Sequence, residues 1–166
     1  VKILKICAQI NTELEQKQKV VVLVRLLEFI FSSNDISEQE REFVATVAES
    51  FNIPDEEFKR TLEFVRSKAD VIPDSSYLLV VDKKDTKPNF NVKHIQSVHL
   101  EGQMRVLFIQ SVGMYGMRYF GTDSLYLNGQ VLAQDKIYIL TEGSSIRSPR
   151  VHPIYYSDII SCFLID

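Results

Sequence analysis

The stretch VIPDSSYLLVV, residues 71–81, marks a change of pattern that decides the fold. Before it, apolar residues recur at the spacings of three and four that are typical of helices facing a core. Within it, a proline, an aspartate and two serines form a break. YLLVV then begins a series of short runs rich in β-branched and aromatic residues, which is the pattern of strands. The chain therefore has an N-terminal helical half and a C-terminal strand-rich half.

The helical half, which we place at residues 1–70, is expected to hold about four helices with short connections, an antiparallel bundle. Thr12 and Ser37 each precede a glutamate by three residues, which is the capping box that opens a helix. We therefore expect a long helix over about residues 13–33 and a second that begins after Ser37. A further helix is expected after Pro54, because proline is tolerated in a first helical turn.

The strand-rich half, placed at residues 74–166, is expected to be a small antiparallel β-barrel or sandwich. Glu101-Gly102 separates the runs 92–100 and 103–111 and is typical of a hairpin between them. Asn128-Gly129 predicts a type I′ hairpin turn, because both central positions of that turn require φ > 0. The predicted fold class is α+β, a helical bundle followed by an antiparallel β-domain.

Composition and motifs limit the classes of function. The formal net charge of -3 argues against nucleic acid as a partner, because phosphate binding depends on clusters of lysine and arginine. No glycine is followed by lysine and no G-x-S-x-G occurs, which excludes a P-loop and a nucleophile elbow. His94 and His99 are predicted on opposite faces of a strand, and no cysteine pair has zinc spacing. We therefore expect no catalytic constellation, no metal site and no cofactor.

Several features predict a cytoplasmic protein. No secretory signal is visible at the N-terminus, and Cys7 and Cys162 are interpreted as reduced thiols. The apolar run 20–31 is interrupted by Arg25 and Glu28, and it is shorter than the roughly 20 residues of a membrane span. The chain does not begin with methionine and ends within an apolar run. We therefore expect a piece of a longer protein, with any membrane connection only through that parent chain.

The candidate binding residues lie in SSIRSPRVHP, residues 144–153. Arg147, Arg150 and His152 make this the most basic loop-like segment of the strand-rich half. Arginine forks bind anions bidentately, so these side chains are candidates for an anion or phosphopeptide site. Contacts to a neighbouring domain and an ordinary surface linker remain open as alternatives.

A long apolar helix, the turn NDISEQE and the step IPDEEF occur together within residues 12–65. In this combination the segment resembles a TerB-like helical domain, a module named for tellurite-resistance proteins. The resemblance implies that this part of the chain is an all-helical bundle.

A second resemblance lies in YLNGQVLAQDKIYILTEGSSIR, residues 126–147, followed by PIYYSDIISCFL, residues 153–164. Together they resemble the segment just before the nucleotide-binding domain in a group of large bacterial ABC-transporter-like proteins. In that group a TerB-like region and a small β-region precede the ATPase cassette and the membrane spans. The resemblance implies a non-catalytic cytosolic regulatory or interaction region of an ABC-type transporter ATP-binding protein. Its partners would be other domains of the parent chain or another protein, in an oligomeric state that is left open.

LYLNGQVL, residues 125–132, is similar to the late Asn-Gly strand turn of forkhead-associated (FHA) domains, which bind phosphothreonine. This likeness implies the alternative function, a free-standing signalling adaptor with an FHA-like phosphopeptide-binding β-domain. FHA domains also carry a Gly-Arg turn and a Ser-x-x-His motif upstream, and neither occurs before Asn128.

Overall fold

The computed structural model describes residues 2–33 and 35–164. Over these residues the protein is α+β, with five α-helices and two sheets. The chain divides into two compact units, residues 1–67 and residues 68–166. Among the described residues, no helix combines the length and apolar character needed to cross a membrane.

The first unit contains four helices, in agreement with the sequence pattern. They are α1 (Lys2–Glu13), α2 (Gln16–Phe31), α3 (Glu38–Ser50) and α4 (Asp55–Arg66). α1 contacts α3, α2 contacts both α3 and α4, and α3 contacts α4. Their buried positions are mostly apolar, including Val20, Leu23, Val24, Leu27, Val44, Val47, Leu62 and Val65.

One predicted helix cap is confirmed and the other is wrong. Ser37 opens α3: its hydroxyl accepts a hydrogen bond from Glu40 N at 3.1 Å, and its own N–H donates to the Glu40 carboxylate at 3.0 Å. Thr12 instead lies inside α1, where its hydroxyl donates to the Gln9 carbonyl at 2.8 Å. A capping box at Glu15 opens α2. A threonine hydroxyl can bond either a free N–H or a carbonyl one turn back. The pattern of Thr12 and Glu15 alone therefore does not determine where the helix begins.

The second unit contains two sheets and one α-helix. The strands are β1 (Leu78–Asp82), β2 (Lys93–Gln96), β3 (Gln103–Ile109), β4 (Met114–Phe120), β5 (Tyr126–Leu127), β6 (Gln130–Val131), β7 (Tyr138–Leu140), β8 (Ser145–Arg147) and β9 (Ile154–Tyr155). Sheet A has the strand order β2-β1-β3-β4-β7, and sheet B has the order β6-β5-β8-β9. Helix α5 (Tyr156–Leu164) follows β9 directly.

The strand pairing of sheet A corrects the prediction of an antiparallel domain. β1 and β2 run parallel, and β3 pairs with the other side of β1, with Val80 opposite Arg105. The predicted hairpin across Glu101-Gly102 is therefore wrong, because β1 lies between the two runs. All five residues of β1 are buried, and a strand buried on both faces belongs in the interior of a sheet. Within the described residues both sheets are open rather than closed into a barrel.

One apolar cluster joins sheet A, sheet B and α5. It contains Leu79 and Val106 of sheet A, Ile146 of sheet B and Ile159 of α5, each essentially inaccessible to solvent. The helix α5 was not predicted, because a short apolar run does not distinguish a strand from a helix. The Asp158 carboxylate accepts a hydrogen bond from Tyr155 N at 2.9 Å, which supports the turn where β9 becomes α5.

Candidate functional site

Strands β5 and β6 form the two-residue hairpin that Asn128-Gly129 predicts. Asn128 and Gly129 have φ values of 50° and 84°, the positive values that a type I′ turn requires. The Asn128 side-chain oxygen also accepts a hydrogen bond from Ser145 N at 3.0 Å. The turn thus fixes both the hairpin and the position of β8 beside it.

The side chains of sheet B alternate between a buried face and an exposed one. Leu127, Ile146 and Ile154 belong to the apolar core. Their neighbours along the strands point to the opposite face, where Tyr126 is 39% exposed and Tyr155 is 44% exposed. This exposed face, here named the Tyr-Arg face, consists of Tyr126, Val131, Ser145, Arg147 and Tyr155.

Arg147 is held at the centre of the Tyr-Arg face. Its Nε donates a hydrogen bond to Ser145 Oγ at 3.2 Å, and its Nη2 donates to the Tyr155 hydroxyl at 3.4 Å. The guanidinium carbon lies 5.5 Å from the centre of the Tyr155 ring, within the range of a cation–π contact. Tyr126 stands directly opposite Arg147 on the neighbouring strand. An exposed arginine is therefore oriented between two tyrosines.

The other two predicted binding residues lie elsewhere. Arg150 is exposed in the connection between β8 and β9, where Ser148 Oγ accepts hydrogen bonds from the backbone N–H groups of Arg150 and Val151 at 3.3 and 3.1 Å. His152 lines a groove rather than the Tyr-Arg face. The role of the three residues in binding stays a prediction, and the structure places only Arg147 in the Tyr-Arg face.

The groove beside His152 has a volume of about 510 Å³ and combines apolar with titratable side chains. Burial, and then Asp158, raise the pKa of the Cys162 thiol, while Lys93 acts in the opposite direction. A thiol with a raised pKa is a weak nucleophile at neutral pH. No group of three metal-ligating side chains is placed to hold an ion in residues 2–33 and 35–164. The groove is lined by Ile95, Val98, His99, His152, Pro153, Ile154, Asp158, Ser161 and Cys162, among others.

A second polar cluster, which the sequence did not predict, lies on sheet A. His94 Nε2 and Asp82 Oδ1 share a hydrogen bond of 2.7 Å. The other oxygen of Asp82 accepts from Gln103 Nε2 at 3.1 Å, and Gln103 Oε1 accepts from Arg105 Nε at 2.7 Å. The only trace of this cluster in the sequence is that polar residues alternate with apolar ones at the start of β3.

Arg105 ends this chain of hydrogen bonds and is fully buried. Its Nη1 and Nη2 donate to the carbonyls of Val71 and Ala69 at 3.1 and 3.0 Å. Burial lowers the pKa of Arg105 to about 10; nearby Arg118 lowers it further and Asp70 opposes the shift. The guanidinium stays charged at neutral pH, and backbone carbonyls compensate its burial. This cluster is therefore interpreted as structural.

Comparison with known proteins adds no further constraint. No protein-family model, no curated protein and no solved structure matches the chain.

Proposed function

We propose that the chain is a non-catalytic cytosolic regulatory or interaction region of an ABC-type transporter ATP-binding protein. Its contact with another domain of the parent chain, or with a protein partner, is made through the Tyr-Arg face. The observation that carries this proposal is an oriented arginine flanked by two exposed tyrosines. Tyrosine and arginine are enriched among the residues that contribute most of the binding energy at protein interfaces.

The order of the two units supports the transporter assignment. Four helices occupy the first unit and a strand-rich unit follows, which is the order of the TerB-like region and small β-region in the proteins that the sequence resembles. In this proposal the first unit is a TerB-like bundle and the second is a two-sheet sandwich. The residues of the Tyr-Arg face lie within the two stretches that carry the second resemblance, residues 126–147 and 153–164.

A non-catalytic role is also supported by the chemistry of the groove. A nucleophilic cysteine needs a depressed pKa, and burial and Asp158 raise the pKa of Cys162 instead. His94 is engaged with Asp82 on sheet A, where the pair continues into the hydrogen-bond chain that ends at Arg105. Asp82, His94 and Arg105 are thus interpreted as residues that support the fold.

The reading frame after residue 166 tests the transporter assignment. We expect a Walker A motif, G-x-x-x-x-G-K-[ST], shortly downstream. A frame that closes near residue 166, or that continues without a nucleotide-binding cassette, would overturn the assignment.

Hydrogen exchange tests whether the Tyr-Arg face is the contact surface. The chain alone is compared with a longer protein that includes the cassette. We expect β5, β6 and β8 to become better protected in the longer protein, because a contact shields their backbone from solvent. The buried strand β3 serves as the internal control and should not change. Equal exchange of β5, β6 and β8 in both proteins would contradict this role of the face.

The phosphopeptide adaptor is the competing function, and one observation favours it. Arg147 and the Ser145 hydroxyl lie together on an exposed face, where both could contact a phosphate. Calorimetry with phosphothreonine peptides, with Arg147→Ala as the matched variant, distinguishes the two proposals. Absence of heat from the wild-type protein, or equal heat from the variant, would remove the adaptor function.

A further inference from the structure

We infer that the Tyr-Arg face binds an acidic segment of a partner protein, with a carboxylate of that segment paired to Arg147. The inference rests on the proposed function as an interaction region and specifies the chemistry of the partner. It depends on the local charge of the face, on the unused donors of Arg147 and on the two tyrosines beside it.

The charge of the Tyr-Arg face is opposite to that of the whole chain. Of the five residues that form the face, Arg147 is charged and none is acidic, whereas the chain carries a formal net charge of -3. Charge complementarity steers an acidic partner to such a surface and disfavours a basic one. The nearby carboxylate of Asp158 accepts a hydrogen bond from Tyr155 N, at the start of α5.

The donors of Arg147 suit a carboxylate. A guanidinium has five N–H donors in a planar fork. Ser145 and Tyr155 occupy donors on Nε and Nη2, and Nη1 makes no hydrogen bond within residues 2–33 and 35–164. The Nη1 and Nη2 atoms of the Arg147 guanidinium can still donate two parallel hydrogen bonds to one carboxylate. Because Ser145 and Tyr155 already orient the side chain, less conformational entropy is lost on binding.

The tyrosines provide the surroundings that strengthen such a pair. Tyr126 lies across from Arg147 on β5, and Tyr155 lies beside it on β9. Next to Tyr126 on β6, Val131 is 53% exposed, and it extends the apolar border of the face. Apolar and aromatic neighbours that exclude water raise the strength of a charged contact. The partner segment should therefore carry an aromatic or aliphatic residue close to its carboxylate.

A single carboxylate fits this face better than a phosphothreonine. A phosphate group carries close to two negative charges and is usually held by a cluster of arginines. The Tyr-Arg face contains one guanidinium, because Arg150 lies in the β8–β9 connection and His152 lines the groove. One guanidinium in a planar fork matches one carboxylate in charge and shape.

Selection from displayed random peptides tests the inference on the full chain. We expect the selected peptides to be enriched in aspartate or glutamate next to an aromatic or aliphatic residue. Replacement of that acid by its amide, or Arg147→Met in the protein, should weaken binding at least about tenfold, as for an arginine that dominates an interface. Arg25→Met, an exposed arginine of the helical unit, is the matched control and should bind with unchanged affinity.

Several outcomes would overturn the inference. They are a selection that yields no peptide, peptides without acid enrichment, binding that survives Arg147→Met, and binding of phosphothreonine peptides alone. Tyrosine fluorescence of Arg147→Met during urea unfolding shows whether that variant is folded. These outcomes do not depend on the reading frame after residue 166, so the inference and the transporter assignment can fail separately.

Discussion

Arg105 on sheet A and Arg147 on sheet B are held by the same local arrangement. Each donates its Nε to the side chain two residues earlier on its own strand, Gln103 for Arg105 and Ser145 for Arg147. Each guanidinium also lies over an aromatic ring, at 4.4 Å and 5.5 Å from the ring centres. The ring beside Arg105 belongs to Phe120, which stands opposite Gln103 on the neighbouring strand. The ring beside Arg147 belongs to Tyr155, which stands opposite Ser145.

The two arginines differ in burial and in the use of their remaining donors. Arg105 is fully buried and donates to the carbonyls of Val71 and Ala69. Arg147 is exposed and keeps donors available to solvent or to a partner. The shared arrangement only orients a guanidinium. Whether the arginine stabilises the fold or presents a binding group depends on which sheet face its strand supplies.

The largest effect that follows from this comparison is a loss of stability in Arg105→Met. The substitution leaves two carbonyls and the Gln103 side chain without a buried donor, so we expect the free energy of unfolding to fall by about 3 kcal/mol. Urea unfolding followed by tyrosine fluorescence measures this change. Tyrosine fluorescence reports on the second unit specifically, because all seven tyrosines lie at Tyr77 or later.

Arg147→Met is the matched variant for this measurement. Its free energy of unfolding should stay within about 0.5 kcal/mol of the wild type, because an exposed side chain leaves no buried group unpaired. Equal losses of the free energy of unfolding in the two variants would contradict the distinction between Arg105, which stabilises the fold, and Arg147, which is exposed for binding.

The intermediate effect concerns the residues that orient each guanidinium. Gln103→Leu removes hydrogen bonds to both Asp82 and Arg105, and we expect a loss of about 1–2 kcal/mol in the free energy of unfolding. Ser145→Ala removes one exposed bond and should change it by only about 0.5 kcal/mol or less. The double variant of Gln103 and Arg105 should lose less than the sum of the single losses, because the residues share one network. Additive losses would show that the network is not cooperative.

The features that could be predicted from the sequence are those set by neighbours along the chain. Ser37 and Glu40 lie in one helical turn, and Asn128-Gly129 fixes its own backbone conformation. The parallel pairing of β1 with β2 could not be predicted in this way, because it depends on which strand is buried on both faces. The helix α5 was missed for a related reason, since its apolar run also suits a strand.

The candidate site likewise combines features set by neighbours along the chain with features set by distant residues. The local charge of residues 144–153 makes Arg147 a candidate, whereas Tyr126 and Tyr155 are brought beside it by the strand register. The burial of Arg105 could not be predicted from the alternation of polar and apolar residues at the start of β3, because a charged residue in such a pattern is usually interpreted as exposed. Its burial requires carbonyls from Ala69 and Val71, which are more than 30 residues away along the chain.

The smallest effect extends the contrast between buried and exposed groups to a tyrosine of sheet A. Tyr115 stacks on Phe108 with ring centres 4.8 Å apart, and burial, with a smaller effect of Tyr156, raises the pKa of Tyr115. A tyrosine whose folded pKa is raised stabilises the fold fully below its unfolded pKa of about 10, and this contribution is lost as pH rises through the folded pKa.

Tyr115→Phe removes this titration and keeps the ring. At neutral pH we expect the variant and the wild type to unfold at nearly the same urea concentration, because the Tyr115 hydroxyl makes no hydrogen bond within the described residues. Above about pH 10 the stability of the wild type should fall more steeply than that of the variant. Circular dichroism follows the unfolding, since tyrosine fluorescence itself changes in alkali. The pKa of Arg105 is shifted in the opposite sense, but Arg105 is present in both proteins and does not distinguish them. If the stabilities of the two proteins fall in parallel above about pH 10, Tyr115 ionises as freely as a tyrosine in water.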